Sequence, residues 1–361
     1  MRIPEGEYTV ESFLDTVSSL GRKVLSEEDA RNEIKMFFYI TDLEDPLSLF
    51  STLRTKRMGE VLQVQVPRDM ERDDDEHPDN YYALQYDDNI VLLVSSVTLK
   101  RHHPNVGRHI NTSPGITDMW LNPSIVLGVL DDLEERYPSM RIGNLIARRN
   151  PGDGSDCVHR PGFERRVNYT GQDGLDVLKE LRHYYGVHPV KVNLDLAPKV
   201  NLNLYEEGYF VLRDINRETV SEVRHILSLV RDDILSLYST AKQMRFEATL
   251  SETRTGTVST PVIHAGEVTF ASGPVTGPVA EEFVRGSPDF SFVDVTLEEG
   301  SLNLSAIVID EVRNAVFDVS GTEDRLAIVP KSDAPFDSFI RFYRYVTESL
   351  DSRASFAPMV S

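Results

Sequence analysis

Two clusters of basic side chains lie close together in the sequence, and their residue types are suited to binding an anion. The first cluster contains Lys100, Arg101, His102, His103, Arg108 and His109, and the second contains Arg148, Arg149, His159, Arg160, Arg165 and Arg166. Both clusters are expected in loops or at strand ends, where binding groups are commonly presented. An Arg guanidinium offers two directed hydrogen bonds to a phosphate or carboxylate. The clusters therefore predict a site for an anionic small molecule, a nucleotide or a nucleic acid, with internal salt bridges as the alternative.

The histidines of these clusters allow a second interpretation, an enzyme that acts on phosphate-containing substrates. Histidine titrates near neutral pH, so His102, His103 or His159 could perform acid–base work. Catalysis would require one of them beside a carboxylate in a concave pocket, whereas a binding surface requires only that arginines converge. We favour binding, and we predict no catalytic residue.

Neither a metal site nor a cofactor is predicted. The glycine-rich loop at residues 150–159 contains Cys157 and His159, but zinc sites usually need four ligands in paired spacings, and no second pair is in view. His188 and Lys191 approach the spacing of a phospholipase-D-type phosphodiesterase motif, yet on a strand their side chains would point to opposite faces. We therefore exclude that enzyme class.

The overall composition indicates where the protein works. Acidic residues outnumber basic ones by 58 to 38, and the basic ones comprise 29 Arg and only 9 Lys. Carboxylates keep a folded surface hydrated at high salt and long Lys stems do not, so we predict a halophilic protein of haloarchaeal type. The net charge of -20 argues against a general coat on nucleic acid or anionic membrane. One cysteine and a polar start favour a cytoplasmic location away from membranes.

The acid excess disappears in one part of the chain. Residues 100–166 contain ten Lys or Arg and eight Asp or Glu, a net charge of +2, so the remainder carries -22. Short-range arginine contacts persist after salt has screened long-range attraction. We therefore expect the binding site within residues 100–166.

The order of predicted elements repeats along the chain. Strand, helix, strand, strand, strand is read three times, beginning at residues 36–41, 163–169 and 267–271. This order predicts an α+β fold of two domains, in which mixed or antiparallel sheets pack against helices. We place the first domain at residues 1–241, with residues 100–166 as its Arg/His-rich insert, and the second at residues 242–361. Residues 251–260 are predicted as a polar loop.

Several helix ends carry clear local signals. Asn122 and Pro123 predict a helix start by side-chain capping and a first-turn proline. Gly186 predicts a helix end. A long helix is expected at residues 217–240, and a closing helix with apolar residues at helical spacing is expected after Pro335.

The last predicted strands and helix resemble a known type of domain. Residues 304–346, LSAIVIDEVRNAVFDVSGTEDRLAIVPKSDAPFDSFIRFYRYV, are similar to the C-terminal part of effector domains attached to some archaeal transcriptional regulators. Those domains are phospholipase-D-like in fold and lack its catalytic residues. The resemblance implies a ligand-sensing or protein-contact role for the last domain. The N-terminal helices, however, do not form a helix-turn-helix pattern.

Three functions follow from these observations. The leading hypothesis is a non-enzymatic cytoplasmic regulatory or interaction protein that binds an anionic ligand, nucleotide or nucleic-acid element, with a possible protein partner at its C-terminal domain. The second is the phosphate-substrate enzyme, and the third is a structural partner in a defence or mobile-element assembly.

Overall fold

The computed structural model describes most of the chain. The described residues are 1–25, 33–67, 78–150, 159, 164–253, 256–298, 302–331 and 334–359.

The first half of a large antiparallel sheet follows the N-terminal helix α1 (Val10–Leu20). Its strands are β1 (Ile34–Thr41), β2 (Arg54–Met58), β3 (Val61–Val66), β4 (Asp79–Asp87) and β5 (Ile90–Ser95). A short 3₁₀ helix, Pro46–Phe50, connects β1 to β2. The spatial order is β2-β3-β4-β5-β1. The predominantly apolar strands β1 and β5 are buried along their whole length, as expected for central strands.

Short helices and one strand connect the two halves of this sheet. They are α2 (Leu99–His102), a π-helical turn (His103–Gly107), α3 (Arg108–Thr112), β6 (Ile116–Asp118) and α4 (Pro123–Arg136). Strand β6 pairs with the end of β1, at Tyr39 to Thr41. Helix α4 begins at its predicted signal, because the Asn122 side chain accepts a hydrogen bond from the Ile125 backbone N–H at 2.9 Å.

The second half of the sheet continues from the other part of β1. Its elements are β7 (Arg141–Arg149), β8 (Arg165–Thr170), α5 (Gly174–Tyr185), β9 (His188–Ala197), β10 (Val200–Tyr205) and β11 (Tyr209–Leu212). Strand β11 lies beside residues 34–37 of β1, and the order from there is β10-β9-β7-β8. Strand β7, from the predicted insert, is thus an integral member of the sheet. Gly186 ends α5 in the left-handed conformation, at φ 62°.

A second, six-stranded sheet lies after the long helix α6 (Arg217–Gln243). The elements after α6 are β12 (Arg245–Thr253), β13 (Gly256–His264), β14 (Gly266–Thr269), α7 (Gly277–Val284), β15 (Phe290–Leu297), β16 (Leu304–Asp310), β17 (Ala315–Thr322), β18 (Arg325–Pro330), α8 (Phe336–Ser349) and β19 (Ser355–Pro358). The sheet order is β15-β16-β17-β18-β14-β19. Strands β12 and β13 form a separate hairpin. The prediction of a loop at residues 251–260 was therefore wrong, because Thr- and Val-rich polar segments also favour strands.

The α+β fold is confirmed, and units of a strand, a helix and further strands recur, with four strands after the helix in the first and third copies and three in the second. The first copy runs β1, 3₁₀ helix, β2 to β5, with β1 closing against β5. The third copy runs β14, α7, β15 to β18, with β14 closing against β18. Both therefore have the same strand order. In the second copy the first strand, β8, lies at the sheet edge and is separated from β9 by β7.

The two sheets share a hydrophobic core. Alternate residues of β1 enter opposite faces of the first sheet, so that Phe38 joins the larger core and Phe37 the smaller. The larger core continues across α6 and α8, where the rings of Tyr238 and Phe336 pack edge to face at 4.9 Å. Among the described helices, none combines the length and apolar character needed to cross a bilayer.

Candidate functional site

A cleft of about 900 Å³ lies where the connecting segment of the first sheet meets α8. One wall is formed by the π-helical turn, α3 and β6, and the other by α8 and the turns around residues 287–290 and 312–313. We call this space the interdomain cleft, after the two domains predicted from the sequence. Its ionisable side chains include His103, Arg108, Asp118, Asp289, Arg313, Arg341, Arg344 and Glu348.

Helix α8 supplies one charged face to the cleft. Arg341, Arg344, Tyr345 and Glu348 are spaced by three, one and three residues, which places them on one side of a helix. Phe342, on the opposite side, is fully buried. The amphipathic pattern that buries α8 therefore also directs two guanidinium groups into the cleft.

The cations on the α8 side are held by carboxylates. Arg341 donates to Asp310 at 2.9 Å and also pairs with Asp289 at 2.9 Å. Arg344 donates to Glu348 at 2.9 Å. Their positions are thereby defined before any ligand arrives.

Arg313 lies deepest and links the two sheets. Its side chain is 2% exposed and pairs with Asp337, which is 0% exposed. The other carboxylate oxygen of Asp337 accepts a hydrogen bond from the Gly115 backbone N–H at 3.1 Å. Arg313 also approaches the Ile116 carbonyl at 3.4 Å. This buried ion pair therefore attaches α8 to the start of β6.

Arg108 differs from these arginines. It is exposed at the start of α3, and its guanidinium has neither an ion pair nor a hydrogen bond with any residue that the structure describes. It faces the same cleft as the α8 arginines. Arg108 is therefore a cation available to a ligand.

Asp118 is a carboxylate on the same wall of the cleft as Arg108. Burial raises its pKa to about 6, although the positive charge of Arg344 acts in the opposite direction and Glu207 adds to the increase. Asn111 lies within hydrogen-bonding reach of it, and His103 is close enough for the two charges to interact. The cleft thus contains a histidine near a carboxylate.

A buried ion network lies beneath the cleft. Arg148 on β7 contacts Glu206 at 3.1 Å and Glu348 at 2.9 Å. Burial raises the pKa of Glu206 to about 7 despite the nearby Arg148 and Arg344 charges, whereas the arginines outweigh burial at Glu348 and lower its pKa. Arg148 therefore connects the first sheet to α8 through two acids.

The structure brings His103 and Arg108 of the predicted first cluster into the cleft and places the others elsewhere. Arg101 pairs with Asp79 at 2.8 Å, and His109 contacts the Leu49 carbonyl at 2.9 Å. His102 is buried, stacked on Phe37 at 3.7 Å, and burial lowers its pKa to about 3. It is thus an uncharged core residue. Lys100 is exposed at the surface.

The second predicted cluster divides in the same way. Arg149 is 1% exposed within the sheet, next to Arg148. The Arg165 guanidinium lies over the Tyr185 ring at 4.2 Å, and His159 stacks on Tyr184 at 5.7 Å. Arg166 is exposed on the edge strand β8. Arg160 and Cys157 lie outside the described residues. Among the residues that are described, no three His, Cys, Asp or Glu side chains gather as metal ligands.

Sequence reasoning missed the α8 side of the cleft. Local charge is balanced in residues 336–349, so charge alone gives no sign of a binding site there. The signal that was present is the spacing of Arg341, Arg344 and Glu348 on one helical face. It becomes meaningful only once the opposite face is known to be buried.

The buried network predicts a pH dependence of stability that belongs to Glu206. Its pKa is 4.5 in an ordinary environment and about 7 in the folded protein. Between these values the folded protein holds a proton at Glu206 that the unfolded chain has released, so Glu206 contributes a fall in the free energy of unfolding as pH rises, by at most about 1.4 kcal/mol per pH unit. The buried His102 and His188, whose pKa values are lowered, contribute in the opposite direction, so the contribution of Glu206 is read as a difference between proteins. In denaturant titrations across this range, the free energy of unfolding of Glu206→Gln minus that of wild type should rise with pH. Glu135→Gln, which removes an exposed carboxylate, serves as the control, and equal slopes for all three proteins would contradict the assignment.

Comparison with known proteins adds an archaeal relative. A protein-family profile described as a family middle domain matches residues 131–207, from α4 to the turn after β10. An uncharacterized protein of Archaeoglobus fulgidus is 23% identical over 286 residues, which cover 74% of this chain and 74% of the relative. The matched middle segment contains Arg148 and Glu206 but neither Arg108 nor Asp118.

Proposed function

We propose that this chain is a non-enzymatic, cytoplasmic regulatory protein that binds an anionic ligand in the interdomain cleft. The observation that carries the proposal is Arg108, a guanidinium without a described partner, in a cleft that already contains Arg341 and Arg344. A partnerless arginine beside fixed arginines suits a ligand that brings its own negative charge, such as a phosphate or carboxylate.

High salt is consistent with this kind of binding. In roughly molar salt the Debye length is about 3 Å, so attraction between distant charges is largely lost. The net charge of -20 therefore neither draws nor prevents a ligand there. Selection rests on hydrogen bonds made at contact, for which a guanidinium fork is well suited.

The position of the cleft supports a regulatory role. A ligand bound by Arg108 on one wall and by α8 on the other would bind best when the two walls lie next to each other. It would therefore stabilise that arrangement of the two walls by mass action. The C-terminal elements that form the second wall are those whose sequence resembles ligand-sensing effector domains. A protein partner of the C-terminal domain would then respond to the occupied cleft.

Arg108→Ala is expected to weaken binding of inorganic pyrophosphate by about tenfold or more, because hydrogen bonds to charged groups contribute about 1.5–3 kcal/mol. Titration calorimetry in molar KCl measures this. Arg166→Ala removes an exposed arginine outside the cleft and should bind like wild type. Equal affinities of wild type and Arg108→Ala, or no binding by any of the three, would overturn the proposal.

An enzyme acting on phosphate esters is the second candidate. It is favoured by His103 and Asp118, which line the same concave cleft with interacting charges. This function requires turnover of a phosphate ester by wild type and its loss in His103→Gln. Binding of pyrophosphate without turnover of any ester tested would favour the regulatory function instead.

A further inference from the structure

The arginines and carboxylates that line the interdomain cleft are paired with one another or with neighbouring acids except at two positions. Arg313 is paired with Asp337, Arg341 with Asp310 and Asp289, and Arg344 with Glu348. These pairs leave two groups on the same wall, the cation of Arg108 and the carboxyl of Asp118. Neither forms an ion pair with a described residue.

Arg108 and Asp118 would bind different chemical groups of one ligand. Arg108 provides N–H donors for an anionic group. The Asp118 carboxylate has two acceptor oxygens, which bind N–H donors. Asn111 lies beside Asp118 and adds an amide at the same place. A ligand that carries only negative charge would be repelled by Asp118 and would leave this carboxylate with Asn111 as its one hydrogen-bonding neighbour among the described cleft residues.

The size of the cleft and the residues of its walls restrict the class of ligand further. Its volume of about 900 Å³ lies towards the upper end of the range of about 300–1,000 Å³ that holds drug-sized ligands, well above the need of a free phosphate. Tyr345 lines it, and its ring packs against Phe283 at 5.2 Å and Phe290 at 5.6 Å. The exposed His103 ring lies on the opposite wall. Flat rings of this kind stack on nucleobases.

We infer that the ligand is a purine nucleoside phosphate, whose phosphate binds Arg108 and whose base donates N–H hydrogen bonds to Asp118. This inference rests on the proposed function and names the ligand class of the same site. Guanine fits best, because its ring N–H and exocyclic amino group are adjacent donors that match the two oxygens of one carboxylate. Hypoxanthine offers only the ring N–H, and adenine offers only the amino group.

The test compares ligands that differ by single donors. Calorimetric titrations in molar KCl measure guanosine, inosine and adenosine 5′-monophosphates and inorganic pyrophosphate against wild type. Guanosine monophosphate should bind most tightly, and the inosine nucleotide should bind about tenfold more weakly or worse, because it lacks one charge-assisted hydrogen bond. This ligand series needs no variant and therefore does not depend on a variant folding.

Two variants then assign the preference to one carboxyl. Asp118→Asn keeps the size of the side chain but puts an amide donor against the donors of guanine, so it should bring the guanosine and inosine nucleotides to similar affinity. Asp324→Asn changes a 67% exposed carboxylate that does not line the cleft and should keep the guanosine preference.

The outcomes separate this inference from the proposed function. Pyrophosphate binding that depends on Arg108, with no preference among the nucleotides or with the preference intact in Asp118→Asn, would overturn the purine assignment and leave anion binding in place. Absence of Arg108-dependent binding for every probe would overturn both.

Discussion

Asp337→Ala is expected to lower the free energy of unfolding by about 3–5 kcal/mol, because removing one partner of a buried ion pair leaves the other charge without compensation. Arg313 is 2% exposed and would remain buried opposite an apolar methyl group. The Gly115 backbone N–H would lose its acceptor as well. Denaturant titration in molar KCl measures the change, and a loss below about 1 kcal/mol would contradict it.

A double substitution tests the cause of this loss. In Arg313→Met/Asp337→Asn the buried charges are both removed, while the Asn side-chain oxygen still accepts from Gly115. Because replacing both ions avoids the uncompensated charge, the double variant should be more stable than Asp337→Ala alone. Asp289→Ala provides the matched control, since its carboxylate is exposed and its pair with Arg341 should contribute at most about 1 kcal/mol.

Gly208→Ala is expected to destabilise the protein by about 2–5 kcal/mol, the sum of a left-handed backbone penalty of about 1–2 kcal/mol and overpacking of about 1–3 kcal/mol. Gly208 has φ +73°, and a Cβ atom there would lie 1.9 Å from the Met119 carbonyl oxygen. The φ angle of Gly208 and the position of the Met119 carbonyl are both set by the backbone, so the movement of a flexible side chain cannot relieve the strain. Since Met119 follows Asp118 directly, the same substitution should also weaken binding in the interdomain cleft.

Two further glycines separate the contributions. Gly273→Ala has the same kind of backbone conformation, φ +96°, with no atom within 4 Å of the added Cβ, so it isolates the conformational penalty. Gly128→Ala, inside α4 and also without a neighbour within 4 Å, should stabilise the protein by about 0.5–1 kcal/mol. If Gly208→Ala cost no more than Gly273→Ala, the close approach to Met119 would not be the cause.

Local structure could largely be predicted from the sequence because the interactions that define it are short in range. Asn122 caps the N–H of Ile125 three residues later, and Gly186 ends its helix by its own backbone freedom. The recurring order of strands and helix was also visible, since each strand is defined by its own residues. The position of β8 at the sheet edge could not be predicted from the sequence. Strand pairing depends on distant parts of the chain, and β8 pairs with β7.

The candidate site could be predicted only in part. Arg101 and Arg108 are both arginines of the same basic cluster, and no nearby feature of the sequence shows which of them meets an acid in the folded protein. In the folded protein Asp79 on β4 lies 2.8 Å from Arg101 and forms an ion pair with it. Arg108 meets no such acid among the described residues and remains available.

By itself, the sequence determined the acidic surface, the element order, the α+β class and the stretch of chain in which an available arginine would be found. The tertiary structure alone decided which arginine that is and what lies opposite it. Arg108 and Arg344 are separated by more than two hundred residues and share a cleft because the buried face of α8 packs into the common core and the Arg313–Asp337 pair joins α8 to β6. The chemistry of a side chain follows from its residue type, whereas the residues that surround it depend on long-range packing.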